Sequence, residues 1–495
     1  MIQINRLNIK KVLILFLIIQ PIFDLKLFYN SISTLIRVIF ISLFFLYFFI
    51  TTKNREKYLL LIYPILIIIY FVFHHLNALN FNSLVPDNFN YSAIKELLYF
   101  LKMSCPFMLI YSIFHANLSK KDFSFIIKTL VLCFSIIIIF SNIFVFSYGT
   151  YSDSTIKANF LEWFNLKSSF TYQDLASKGL FEFANQISAI LIMFLPFTIY
   201  FTLEKIDKKN MLILFFNVFS LILICTKVSV LGIALVFIYT VLLYFTLNNH
   251  KKNIYLIIPI FLLYLCLLPF NPSFSRMFER KQIIQAAAEA ELDVSVNESQ
   301  SVIDDYTTIS IVQAENIISN DYKTNYIINN YQEQKINENF ILNRYSYQYD
   351  PDFWYDILTN KNPNKSDYRY LEQAMVKRVI EINNNKLDKW LGITYVRVQN
   401  IFNIEKDFIM QYYSIGIIGL ILFVLPYFLI IGYAMFKYIS NHFKNINRYS
   451  LLAFITAFML FAISYYSGNL LNALGFTIYF AVIFALILNT NELEK

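Results

Sequence analysis

The sequence predicts an all-α polytopic membrane protein of about twelve transmembrane helices with one large extracytoplasmic loop domain. Three observations carry that expectation. The 495 residues are 57% apolar and 15% charged, with a mean hydropathy of +0.53, whereas soluble domains run near 45–50% and about 25%. Apolar runs of bilayer length recur along the chain, and the cations between them fall into one alternating pattern.

Spans of roughly 17–25 residues cross a bilayer. Candidates occur at Val12–Phe28, Leu35–Ile50, Tyr58–Phe73, Leu97–Phe114, Phe125–Phe146, Phe183–Phe201, Met211–Cys225, Val228–Thr246, Ile254–Phe270, Phe408–Phe436, Leu451–Tyr465 and Leu470–Leu488. The first does not read as a cleavable signal peptide, because Gln20, Pro21 and Asp24 interrupt its outer half and no small-residue cleavage site follows. Met211–Leu247 is one apolar block, expected to be a hairpin of two short helices that breaks at Thr226-Lys227-Val228-Ser229. A single helix there would invert everything downstream.

Short-loop cations mark the cytoplasmic side. Arg6, Lys10 and Lys11 place the N-terminus inside. Alternation then puts Lys53/Arg55/Lys57, Lys120/Lys121, Lys205/Lys208/Lys209, Lys251/Lys252 and Lys437/Lys444/Arg448 on the same face. The C-terminus is inside as well, so a multi-pass protein of the cytoplasmic (inner) membrane is expected. Three parts follow: helices one to nine over 1–270, a loop domain over 271–407, and helices ten to twelve over 408–495. The loop domain has 15 Lys and Arg against 20 Asp and Glu, while the remainder has 26 against 13. The overall +8 is therefore a topology signal and does not point to nucleic acid as a partner.

Helical periodicity in the loop domain appears over Ser273–Leu292 and over Tyr368–Asn383, where Leu371, Met375, Val379 and Ile382 share a side. The Asn-, Tyr- and Gln-rich stretch Asn316–Asn364 is expected to be partly disordered. The nine glycines form neither a P-loop nor a GxGxxG turn. Four cysteines lie in apolar runs, and the five histidines form no HExxH motif or Cys/His cluster, so neither a metal nor another cofactor is expected.

Ionisable residues at membrane depth are costly and mark function by default. Asp24, Lys26, Arg37, Lys102, Glu182 and Lys227 all fall in the expected outer half of the bilayer. Snorkelling to the interface remains open for Lys26 and Arg37; Lys102 lies deeper. Arg276 and Arg280, four apart, would share one helix face just above the bilayer and could bind a phosphate bidentately, or pair with headgroups and Glu279. Arg369, Arg378 and Arg397 are further candidates. Glu405 and Asp407 sit at the start of span ten, close to several arginines, where they could include a general base or form structural salt bridges. Asp407 is favoured as the base for its depth, with Glu405 orienting an arginine. Tyr345, Tyr347, Tyr349, Phe353, Trp354 and Tyr355 could stack on sugar rings, although packing explains most of them.

With those residues in place, the order of "QPIFD" (20–24), "SKGLFEFANQISAIL" (177–191), "CTKVSVLGI" (225–233), the Arg369-Tyr-Leu stretch, Gly392, "IEKDF" with "GIIG", and "SGNLL" (467–471) resembles the bacterial O-antigen polymerase and O-antigen ligase superfamily, in its Gram-positive-like polysaccharide polymerase branch. The resemblance implies a membrane-embedded glycosyltransferase similar to the GT-C class. Such an enzyme takes glycan from undecaprenyl pyrophosphate and joins it to an acceptor sugar hydroxyl outside the cytoplasm, without metal or nucleotide. By matching positions it gives Lys227, Arg276 and Arg369 to the pyrophosphate and Glu405 or Asp407 to the acceptor; Arg280, Arg37 and Lys102 are further pyrophosphate-binding candidates from their placement. Ligases of the superfamily carry a loop histidine, and residues 271–407 contain none, which favours a polymerase. A glycan ligase with another acceptor and a lipid-linked oligosaccharide flippase are the alternatives. The implied partners are the lipid-linked donor and acceptor and the bilayer, with a chain-length regulator left open.

Overall fold

The computed structural model describes residues 6–28, 31–53, 55–82, 84, 90–165, 169–205, 207–247, 251–277, 322–360, 362, 365, 367–401, 404–440 and 448–488. Each apolar run meets a helix: α1 (Arg6–Phe23), α2 (Ser31–Thr51), α3 (Ile62–Leu79), α4 (Ala93–His115), α5 (Lys120–Ile143), α6 (Ala184–Glu204), α7 (Lys208–Ile224), α8 (Lys227–Leu247) and α9 (Ile258–Leu267). Within residues 322–401 come α10 (Pro351–Thr359), α11 (Tyr368–Asn383), α12 (Asp388–Leu391) and α13 (Tyr395–Ile401); α14 (Asp407–Phe423), α15 (Leu425–Ser440), α16 (Arg448–Tyr466) and α17 (Leu474–Leu488) follow. Among the described residues eight helices are long and apolar enough to cross a membrane, Ile254–Phe270 and Leu474–Leu488 are shorter, and the only β pairing is three isolated bridges.

The apolar pattern explains the layering. Helix α6 is apolar on every side and is enclosed from Gln186 to Leu203, as is nearly all of α17, the behaviour of a helix that cannot favour one face. Helices α2 and α3 stand at the rim with Ile65, Ile68 and Phe73 outward. Because lipid is as apolar as leucine, close backbone approach holds such helices together. Gly232 of α8 supplies one, since a Cβ there would overlap Ile192 of α6.

The expected hairpin within Met211–Leu247 forms, with its break at Cys225 and Thr226. Cys225 takes φ +59, and the last carbonyls of α7 all find donors: Asn271 Nδ2 to Ile222 O at 2.9 Å, Ser177 N–H to Leu223 O at 3.0 Å, Thr150 Oγ1 to Ile224 O at 2.7 Å, and the Tyr151 hydroxyl to Cys225 O. A helix end buried in this way requires such partners. Capping α7 thereby ties Thr150, Tyr151 and Ser177 to that end of the bundle.

The expected span Phe408–Phe436 falls within one membrane-length apolar stretch, Asp407–Ser440, broken by non-helical backbone at Gly416 (φ +63) inside α14 and by the end of that helix at Phe423. Gly392 (φ +79) and Gly416 lie against each other's backbone neighbourhoods, Ser414 and Trp390, leaving no room for a Cβ at either. The close approach wedges α12 and α13 between α14, α3 and α4. His74, enclosed between the Leu391 carbonyl (2.6 Å) and Glu96 (3.0 Å), pins the same wedge, while Glu96 accepts the Tyr395 N–H at 2.9 Å.

Of the Asn-, Tyr- and Gln-rich stretch Asn316–Asn364, residues 322–360 are folded around a second hydrophobic core holding Tyr345, Trp354, Leu371, Met375 and Val379, and 316–321 lie outside the described residues. Asp350 caps α10 at the Phe353 N–H (3.2 Å), accepts the Tyr345 hydroxyl at 2.6 Å and is gripped by Arg378 at 2.8 and 3.2 Å. Arg378 is half-buried and paired with the enclosed Asp350, and Trp354 and Tyr345 are packing residues. The Ser273–Leu292 pattern is helical up to Met277; its remainder, with Arg280, lies outside the described residues.

Candidate functional site at the loop-domain end of the bundle

Arg369 stands in the first turn of α11, which Asp367 caps at the Arg369 N–H (2.9 Å). Its guanidinium grips the Glu405 carboxylate through Nε at 2.7 Å and through Nη2, and Nη1 donates to Tyr466 O at 3.1 Å. The linker bearing Glu405 is held by the loop after α16. Gly468 takes φ +62, and a Cβ there would occupy the position of the Glu405 carbonyl oxygen, so the two backbones touch because this residue has no side chain.

Asp407 opens α14 and is fully enclosed. Its oxygens accept the Leu470 N–H at 3.2 and 3.0 Å and the Leu471 N–H at 3.1 Å. The loop continues to Asn472, which donates to Met410 Sδ and accepts the Tyr99 hydroxyl at 2.8 Å. Tyr99 stacks on Tyr395 with centroids 3.8 Å apart, and Lys102, further along α4, holds its ammonium 5.9 Å from the Tyr395 centroid.

Beside the Arg369–Glu405 pair lies Glu372, three residues on and buried. Burial pushes its carboxyl up to about 8; the Glu405 charge adds to the rise, and Arg344 and Arg369 oppose it. Sequence reasoning missed this residue. Its available signal was the i, i+3 spacing from Arg369 beside the apolar face of Leu371 and Met375.

A second group of cations surrounds the 148–151 stretch. Arg276 lies over the Tyr151 ring at 3.9 Å, and the Tyr151 hydroxyl bonds Cys225 O, two residues before the exposed Lys227. Lys26 lies 4.6 Å over the Tyr148 ring. The start of α6 ties both groups together: Gln186 donates to Asn469 O at 3.2 Å, and the Ser188 and Thr226 hydroxyls pair at 2.9 Å.

Arg37 is placed apart from these. It is enclosed and bonded to Asp24 at 2.6 Å and to Gln20 Oε1 at 2.8 Å. Gly475 leaves the space that Asp24 fills. This position is neither a snorkelling one nor a phosphate-facing one, because the guanidinium is already neutralised by its own carboxylate. Arg397 is likewise turned inward, donating to Ala78 O at 2.9 Å. Among the described residues, no group of three or more His, Cys, Asp and Glu gathers as a metal site would require.

Fold and site together define a polytopic helical membrane protein with arginine, lysine and carboxylate groups gathered where the loop-domain core meets the bundle. The chain matches the family model described as "O-antigen ligase like membrane protein" over residues 7–494 and belongs to that family. It is accordingly a multi-pass membrane enzyme of surface-polysaccharide assembly, of the glycosyl-transfer class. No curated protein and no solved structure matches the chain.

Proposed function

We propose that the protein polymerises undecaprenyl-pyrophosphate-linked oligosaccharide repeat units into a capsule or O-antigen polysaccharide, by glycosyl transfer at the outer face of the cytoplasmic membrane. The observation that carries this reading is the Arg369–Glu405–Glu372 group, tied through the Asp407-held loop and α6 to the Lys227 and Arg276 region. In the step envisaged, the acceptor hydroxyl oxygen bonds to the donor's anomeric carbon. The anomeric carbon–oxygen bond to pyrophosphate breaks, and its electron pair stays on the phosphate.

Cations that meet this developing charge need no metal; Lys227, Arg276 and Arg369 are assigned to it, with Lys102 behind them. The hydroxyl proton needs a carboxylate. Asp407 already accepts two backbone N–H groups, so we assign it to holding the 469–471 loop and give the proton to Glu405, with Glu372, whose carboxyl burial raises to about 8, beside it.

Cells lacking the protein test the reading. Their surface glycan should fall to single repeats, and the wild-type gene, but not one encoding Arg369→Ala, should restore long chains. Long chains persisting on the lipid carrier without transfer to their final acceptor would instead identify a ligase.

A further inference from the structure

Lys178 lies on the turn that leads into α6, and only 6% of it reaches solvent. Its backbone is clamped. The Lys178 N–H donates to Tyr148 O at 3.0 Å, the Tyr148 N–H to Gly179 O at 2.8 Å, and the Ser177 and Ser147 hydroxyls pair at 2.6 Å. Gly179 takes φ +72, and a Cβ there would press on Ile138 at 3.0 Å, which leaves the turn a single path. The ammonium is thus presented from a rigid backbone, yet among the described residues it makes no hydrogen bond and no ion pair. Its stem is enclosed while the ammonium itself keeps contact with solvent, so the charge is held on a fixed stem where a ligand can reach it.

The charged groups that act on Lys178 are Glu182 on its own turn, Lys26 and Asp153. Lys26 is registered beside it, its N–H donating to Leu180 O at 2.8 Å. The Lys26 ammonium stands 4.0 Å from Asp153, whose side chain is 95% exposed and so neutralises it weakly. Burial lowers the Lys178 pKa; Glu182 opposes the shift, Lys26 adds to it and Asp153 opposes it. Lys178 and Lys26 are thus held at one rigid turn, and among the described residues their acidic neighbours Glu182 and Asp153 form no ion pair with Lys178, an arrangement that an anion completes.

We propose that Lys178 and Lys26 form a seat for a second phosphate-bearing headgroup, and that this seat holds the pyrophosphate of the acceptor lipid. The assignment rests on the polymerase reading. Joining two lipid-linked glycans brings two pyrophosphates to the enzyme together, one that leaves and one that stays, whereas transfer to a non-lipid acceptor brings one. Lys26 rests on Tyr148 and Arg276 on Tyr151. Three residues of chain span at most about 10 Å, so the two headgroups would lie side by side.

The test uses the full chain in nanodiscs, with a pre-extended lipid-linked chain as donor, a single lipid-linked repeat as acceptor, and geranyl pyrophosphate and inorganic pyrophosphate as binding probes. Lys178→Met should raise the KM for acceptor about ten- to hundred-fold, the loss of one charge-assisted contact, with the donor KM unchanged; Lys178→Arg should retain most of the affinity. Since the ammonium makes no hydrogen bond and no ion pair among the described residues, the Met variant should melt no lower than wild type. Geranyl pyrophosphate should raise the Tm of wild type by more than that of Lys178→Met, which keeps only the donor site. Equal protection by inorganic pyrophosphate would show a site for free phosphate and overturn the lipid assignment. A Met variant that melts lower and loses donor and acceptor alike would show a structural lysine and overturn the seat. If wild type fails to elongate while the geranyl pyrophosphate shift still depends on Lys178, the polymerase reading falls and the phosphate seat stands. If wild type elongates and the Met variant matches it in both KM values, the seat falls and the reading stands.

Discussion

Two arginine–carboxylate pairs occupy the same end of the molecule and have opposite surroundings. Arg37 and Asp24 are 1% and 5% exposed in their side chains and are sealed by Gln20 and Gly475, whereas Arg369 and Glu405 are 38% and 40% exposed and face the loop-domain core. The chemistry is the same, and the difference lies in what remains to be satisfied. The enclosed guanidinium has its Nε and Nη2 satisfied by Gln20 and Asp24 inside the protein and joins α1, α2 and the start of α17. The open guanidinium keeps water access on one side and can exchange partners with a charged ligand. An ionisable residue in a membrane protein therefore marks function only where its counter-ion leaves part of it available.

The largest expected effect breaks the enclosed pair. Arg37→Ala should leave Asp24 charged and alone, costing about 3–5 kcal/mol, read as a large drop in Tm and in the yield of folded protein. Glu405→Gln, by contrast, removes an exposed pair worth about 0–1 kcal/mol. It should barely move Tm while slowing elongation, and a comparable loss of stability in both variants would erase the distinction between the pairs.

Next in size are the cations of the second group. Lys227→Gln and Arg276→Ala should each weaken donor use about ten- to hundred-fold, roughly 1.5–3 kcal/mol, without unfolding the protein. Donor titrations of the purified variants measure this, and unchanged donor use in both would move the phosphate site away from the 148–151 stretch.

Much of this architecture was legible in the sequence, for a definable reason. Bilayer-length apolar runs, the hairpin break beside Lys227, and the buried face of α11 through Leu371, Met375 and Val379 are local patterns, and local periodicity reports local structure. Pairings across long separations were not legible. Nothing in the spacing of Asp407 foretells that its oxygens close on Leu470 and Leu471, or that Asp24 reaches Arg37. Lys178 was visible only as part of a longer motif, since its burial depends on the bridges made by residues 147–149. The fold of residues 322–360 was not legible either, because their composition is that of a polar linker, while Trp354, Tyr345 and Asp350 supply a packed and hydrogen-bonded core.

The smallest effect sharpens the comparison through pH. Glu372 has its folded-state carboxyl raised to about 8 from an ordinary 4.5. The stability linked to it is fully present below about 4.5 and is lost as pH rises through about 8. Wild-type Tm should therefore fall across that window relative to Glu372→Gln, which carries no titrating group there. Parallel curves for the two proteins would remove Glu372 from the electrostatic circle of Arg369 and Glu405.

The most direct measurement gives purified protein in nanodiscs one substrate, a synthetic pyrophosphate-linked repeat on a polyprenyl chain, and resolves the products by size. Wild type should yield a ladder of lipid-linked chains spaced by one repeat, and Arg369→Ala should yield little or none. Unaltered substrate with wild type, or a single transfer to a non-lipid acceptor with no ladder, would contradict the account.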